Sequence, residues 1–209
     1  MNIQELNKEL GNIDIYLLDQ ILKCRFKKSD KILDVGCGEG RNLIYFLNNG
    51  YDVFGVDRNQ KAIEMLQTMA RSINRKYEPE RFMVWDIESM RIPENFFDVV
   101  ICSAVLHFAQ STEHFHTLVD KVCNVLKPGG ILFIRMTSDI GIENNIHPVG
   151  QGIYKLLDGT TRFLINENLL KEIMAKYHLE FLEPLKSVNV DHKRSMATLI
   201  LTKHNGTIA

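Results

Sequence analysis

The 209-residue sequence predicts an α/β fold, a doubly wound, mostly parallel sheet of seven strands that ends in an antiparallel hairpin. Three observations carry this reading. Short apolar runs alternate with helical segments between Lys31 and Arg135, the layout of a parallel sheet with helices on both faces,. A turn with three glycines joins the first apolar run to the first helical segment. The last two apolar runs, 181–190 and 196–202, are separated only by Asp191-His192-Lys193-Arg194-Ser195, a polar turn for a hairpin at one sheet edge,.

The glycine turn organises the chain. Ile32-Leu33-Asp34-Val35 has the length and composition of a fully buried strand,. Gly36, Gly38 and Gly40 follow at every second position, and Arg41 to Leu47 continues as a helix ending at Asn48-Asn49-Gly50. Strand, glycine turn and helix bring backbone close to a ligand at the carboxyl end of a parallel strand. A dinucleotide fingerprint has its third glycine at the sixth position; here Arg41 stands there and the glycine comes one residue early,. Asp34 lies two residues before the first glycine. This turn suits a ligand carrying an ammonium group better than a pyrophosphate.

Asp34, Gly36, Gly38 and Gly40 resemble the first motif of the class I S-adenosylmethionine (SAM)-dependent methyltransferases. The resemblance implies a Rossmann-like sheet, SAM as cofactor, and displacement of a methyl group from a sulfonium. A closer likeness, to the tellurite-resistance and thiopurine methyltransferase-like branch, rests on three stretches: Gly36-Cys37-Gly38-Glu39-Gly40-Arg41-Asn42 with Tyr45, Gly50-Tyr51-Asp52-Val53, and Asp57-Arg58-Asn59. The segment after the fifth strand and the hairpin turn depart from that branch, so its substrates do not carry over.

Residues 1–28 are expected to cap the sheet, with an amphipathic helix over 13–26 that places Tyr16 and Asp19 toward the site or simply packs on the sheet,. The second strand, 51–57, ends in Asp57, 19 residues beyond Gly38. That is near the ~20-residue interval at which such folds set an acid on a ribose, and Arg58 adjoins it. A helix follows from Gln60 to about Ile73, capped by Asp57 or Asn59,. The third strand, 81–86, closes on Trp85 and Asp86. The resemblance implies that Asp86 accepts from the adenine amine, that Ile87 sandwiches the ring, and that Trp85 stacks on it or fills the core. The fourth strand, 97–103, ends at Ser103, where the family's fourth motif meets the methionine part of SAM. A helix over 112–126, the Lys127-Pro128-Gly129-Gly130 stop and a fifth strand at 131–135 follow,.

Residues 137–163 break the alternation. This Gly-, Asn- and Asp-rich segment reads as an irregular, partly ordered lid over the acceptor,. A helix then runs over 167–177. His107, just after the fourth strand, is the candidate general base, or else a packing histidine,. Tyr16, His107, Arg135, His147 and Arg162 are candidate acceptor-binding residues, with Arg194 as a further anion binder and Asp139 and Glu143 as weaker lid candidates,. His114 and His116 read as surface residues.

The hydrophobic fraction of 45% and charged fraction of 24% fit one soluble domain over 1–209,. A net charge near −1 gives no broad basic field for nucleic acid,. The basic clusters at Lys27, Lys28 and Lys31 and at Arg71, Arg75 and Lys76 are short. No apolar run suits a bilayer, and residues 1–10 do not read as a signal peptide,. Cys24, Cys37, Cys102 and Cys123 show neither paired nor metal spacing, which suits a reducing, cytoplasmic setting,. The expectation is a metal-free SAM-dependent methyltransferase, monomeric or homodimeric, acting on a small molecule with no nucleic-acid or membrane partner. Methylation of RNA or protein, and SAM binding without turnover, are the other readings.

Overall fold

A computed structural model describes residues 2–74 and 77–204. Arg75 and Lys76, named above in a basic cluster, lie outside the described residues. The expected helix over 13–26 is the shorter α2 (Ile15–Leu22), preceded by an additional helix, α1 (Ile3–Leu10). Asn2 and Glu5 cap the start of α1 reciprocally,. Gly11, at φ 58°, ends α1, and Asp14 starts α2 by accepting from the Tyr16 N–H at 3.0 Å,.

The parallel strands are β1 (Lys31–Val35), β2 (Asp52–Asp57), β3 (Phe82–Val84), β4 (Phe97–Ser103) and β5 (Leu126–Ser138). Helices α3 (Ile44–Asn48), α4 (Gln60–Ile73) and α5 (Thr112–Val125) connect them. Three boundaries differ from expectation. Helix α3 starts late because the Leu43 N–H still bonds the Gly40 carbonyl within the turn. Strand β3 stops at Val84, although the Trp85 N–H still reaches the Asp57 carbonyl at 3.1 Å. Strand β5 already pairs at Leu126 with Phe97, bulges through Lys127-Pro128-Gly129-Gly130, and pairs again at Ile131 with Val99,.

Successive strand residues alternate between two apolar layers. Leu33, Val100, Leu132 and Leu199 face one layer, with Phe115 and Val119 of α5. Ile32, Val99, Ile101, Phe133 and Ile200 face the other, with Leu17 of α2, Phe46 of α3 and Leu66 of α4. Burial on both faces explains why these strands read as continuous apolar runs.

The segment after β5 is ordered, contrary to the irregular lid expected. Strands β6 (His147–Gly150), β7 (Ile153–Lys155) and β8 (Thr161–Phe163) form a separate antiparallel sheet. Its apolar residues Ile142, Leu156 and Leu164 are buried together. The ends of the insert meet, since the Ile165 N–H bonds the Thr137 carbonyl at 3.1 Å and the Thr137 hydroxyl bonds the Phe163 carbonyl at 2.8 Å.

Helix α6 (Glu167–Lys176), β9 (Leu179–Phe181), β10 (Lys186–Val190) and β11 (Arg194–Lys203) complete the chain. The expected strand 181–190 is split around Pro184, and both pieces pair antiparallel with β11. The main sheet runs β3-β2-β1-β4-β5-β11-β10, with β9 also on β11. The seven expected positions are all present.

Phe163 holds the insert against the domain. It is 1% exposed and its ring stacks on Phe115 with centroids 4.8 Å apart. Phe163→Ala is expected to lower unfolding stability by about 3–5 kcal/mol, measured by denaturant titration.

Candidate active site

Strand order reverses between β1 and β4, which opens a crevice at their carboxyl ends,. A cavity of about 420 Å³ lies there. Of the residues singled out from the sequence, Gly36, Asp57, Arg58, Trp85, Asp86 and Ile87 line it. Glu88, Gln110 and His114, which were not expected at a site, also line it, with Ala104, Val105 and Phe108 from the stretch after β4. His114, expected on the surface, accepts from the Gln110 N–H at 3.0 Å, and its Nε2 lies 3.1 Å from a Glu88 carboxylate oxygen.

The glycine turn forms one wall. A Cβ on Gly36 would stand 2.3 Å from Val105, and one on Gly40 would stand 2.4 Å from Leu66. Gly38, at φ 53°, instead has nothing within 4 Å of its Cβ position. Its N–H donates to one carboxylate oxygen of Asp57 at 2.9 Å, and the Asn59 N–H donates to the other at 2.8 Å. Asp57 is thus fixed by two backbone donors, and each oxygen keeps a lone pair for a ligand hydroxyl. Asn59, not Asp57, supplies the cap of α4.

Asp34 sits beneath the turn, 1% exposed, and its Oδ2 has no hydrogen-bond partner among the described residues. Burial pushes its carboxyl up to about 8; Arg41 opposes this, while Asp57 and Asp14 add to it,. Beside it lies a cluster that the sequence reading missed. The buried carboxylate of Asp14 accepts from Arg135 at 3.0 Å and from the Ser103 hydroxyl at 3.2 Å, with Arg41 at 4.0 Å. Asn42 receives the Asp14 N–H at 3.1 Å. The available signal was Asp14 standing immediately before the apolar run Ile15-Tyr16-Leu17-Leu18, the mark of a helix cap,.

Several candidates sit elsewhere. Arg135 is engaged by Asp14, and its guanidinium lies over the Tyr16 ring at 5.3 Å. Asp19 pairs with Lys23 and Lys186, away from the cavity wall. His147 is exposed on β6. His107 is 7% exposed and does not line the cavity. Burial, with the charges of Arg162 and Arg194, pushes its imidazole down to about 4, so it is neutral near pH 7,. Arg162 lies over Phe108 on the cavity wall, 5.0 Å from the ring centroid.

A methyltransferase-domain family model matches residues 33–134, the stretch from β1 to β5 that builds this crevice. Over this stretch the chain is similar to SAM-dependent methyltransferases. Among curated relatives, the chain is 38% identical to the thiol S-methyltransferase TMT1B of Rattus norvegicus over 49% of its own length and 40% of the relative's. It is 27% identical to the tRNA N(3)-cytidine methyltransferase METTL2 of Bos taurus over 74% of its own length and 43% of the relative's. It spans less than half the length of these relatives. A SAM-dependent methyltransferase from Methanosarcina mazei shares the fold, with TM-score 0.71 and 23% identity, covering 88% of this chain and 97% of that one. So does the 1,6-didemethyltoxoflavin N1-methyltransferase of Burkholderia thailandensis, with TM-score 0.68 and 18% identity over 97% and 82%.

Because Asp34 binds a proton more tightly in the fold than in the open chain, its contribution is favourable at low pH and is lost as pH rises from about 4 toward 8,. Asp34→Asn is expected to be more stable than the parent at pH 8 by roughly 2–5 kcal/mol and no more stable at pH 4. Urea unfolding of both proteins without ligand, at the two pH values, measures the difference.

Proposed function

We propose that this methyltransferase transfers the methyl group of SAM to a small-molecule acceptor. The observation that carries the reading is the Asp57 carboxylate, fixed by two backbone N–H groups beside the open face of Gly38 at the mouth of β1. These residues fit SAM. Asp57 would accept the ribose hydroxyls, and Arg58, Trp85, Asp86 and Ile87 would enclose the adenine. Asp34, with an unpartnered oxygen, would draw the ammonium group to the turn, and Ser103 and Arg41 lie at the same end. Gly36 and Gly40 keep the backbone close enough for these contacts.

Bound SAM supplies a methyl group on a positively charged sulfur that is already a good leaving group. The chain has to align an acceptor lone pair with that carbon and keep water away, which contributes several kcal/mol. In such a transfer the carbon–sulfur electron pair would return to sulfur as the acceptor takes the methyl carbon, and a proton on the acceptor would pass to solvent. His107 is off the cavity wall, and burial pushes its imidazole down to about 4, which makes it a weak base, so we assign it packing rather than base chemistry. The insert from 137 to 163 would cover the acceptor end through Arg162 and Phe108.

The near-zero net charge and a cavity of about 420 Å³, with Arg162 of the insert set against Phe108 on its wall, support a small acceptor,. Its likeness to a tRNA methyltransferase makes RNA the second reading. Transfer of radiolabelled methyl to metabolite, RNA and protein fractions separates them; label confined to RNA would sink the small-acceptor reading.

Two substitutions test the cofactor site by titration calorimetry. Asp57→Ala is expected to weaken SAM binding by roughly 1.5–3 kcal/mol, the range of a charge-assisted hydrogen bond. Gly38→Val is expected to abolish it, because a branched side chain would occupy the open space at a positive φ,. Normal affinity in a folded Gly38→Val protein would remove the turn from the cofactor site.

A further inference from the structure

We propose that Arg162 is an anion anchor for the acceptor, and that the acceptor is a small carboxylate whose apolar body lies on Phe108. The proposal rests on the methyltransferase reading above and narrows it to a substrate class.

Phe108 is an aromatic residue left 56% exposed on a cavity wall. An apolar ring kept open at a site is a contact surface for a ligand. The 3₁₀ turn Leu106–Phe108 that carries it follows Ala104, a non-glycine residue held at φ 62° at the carboxyl end of β4. Val105 packs over Gly36. Phe108 therefore belongs to the wall beside the cofactor turn.

Arg162 comes to this wall from β8 of the insert. Its guanidinium lies 5.0 Å from the centre of the Phe108 ring, and Nη1 donates to the Thr161 carbonyl at 2.8 Å. Among the described residues it forms no ion pair with a carboxylate. Arg194 of β11 approaches the same edge and is held at 3.6 Å by Asp158. Beneath them, the neutral ring of His107 has an Nδ1 with no hydrogen-bond partner among the described residues. The rim beside Phe108 is thus cationic.

The other end of the cavity has the opposite character. Asp57 and Asp86 line it, with Arg58 as their basic neighbour, while Glu88 is paired with His114 at 3.1 Å. Acidic groups suit ribose hydroxyls and an exocyclic amine. A guanidinium suits a carboxylate, which it binds through two parallel hydrogen bonds. Arg135 and Arg41 do not compete for this role, because both face the buried carboxylate of Asp14. Arg162 shares the field of Asp158 with Arg194 but forms no ion pair with it, which leaves its guanidinium open to an acceptor.

The test uses the full chain saturated with S-adenosylhomocysteine and two matched pairs of probes. They are 4-mercaptobenzoate with 4-mercaptobenzamide, and 3,4-dihydroxybenzoate with 3,4-dihydroxybenzamide. Calorimetry is expected to show each acid binding about ten-fold or more tighter than its amide, the lower end of a charge-assisted contact. Arg162→Gln should erase that preference and Arg162→Lys should keep part of it, with S-adenosylhomocysteine affinity unchanged in both. Equal binding of acid and amide, no binding of any probe, or full preference in Arg162→Gln overturns the proposal while leaving the cofactor site intact. Failure of S-adenosylhomocysteine to bind the parent protein removes the methyltransferase reading, and this proposal with it.

Discussion

The turn after β1 has no room for a side chain at Gly36 or at Gly40. Gly36 passes under Val105 and Gly40 passes under Leu66, each closer than a Cβ permits. The backbone can follow this path only because glycine adopts positive φ without penalty,. Much of the site depends on that path. It sets the Gly38 N–H against Asp57, which fixes the carboxylate, and it lays the turn over Asp34. It also brings Val105, and with it the Leu106–Phe108 turn, to the same crevice.

Charge at the crevice is arranged in two layers. The outer layer, Asp57 and Asp86 on the cavity wall, is reached by a ligand. The inner layer is buried. Asp14 is compensated there by Arg135 and Ser103, whereas Asp34 has an unpartnered oxygen and a carboxyl that holds its proton to about pH 8. Leaving a buried carboxylate unpaired is costly. A cationic group placed at the turn would relieve that cost, so the fold carries an imbalance that a ligand can correct. The Asp14 cluster also ties α2 to β5 through Arg135.

The insert is a compact unit whose two ends hydrogen-bond to each other. Phe163 fastens it to α5, and Asn189 fastens it to the hairpin by donating to the Gly141 carbonyl at 2.9 Å. A rigid attachment of this kind sets Arg162 in a defined place against Phe108 and makes it a better selector than a loose loop would be. No helix among the described residues is long and apolar enough to cross a membrane.

The sequence by itself determined the sheet, its helices and the glycine turn. Buried strands and amphipathic helices are written in local apolar periodicity, and close backbone approach is written in glycine. The interval from the glycine turn pointed to Asp57 on the crevice, and the family resemblance pointed to Asp86 and Ile87; all three line the cavity. The tertiary structure alone decided the rest. Asp14 read as a helix cap, and only folding sets its carboxylate against Arg135, 121 residues away. His114 read as a surface residue because nothing in its own helix shows that Glu88 stands opposite. The insert read as irregular because its strands are three or four residues long, too short for periodicity to register, and are held by pairing across the meander. Local pattern fixes what a segment becomes; which charges end up facing one another is settled by long-range packing.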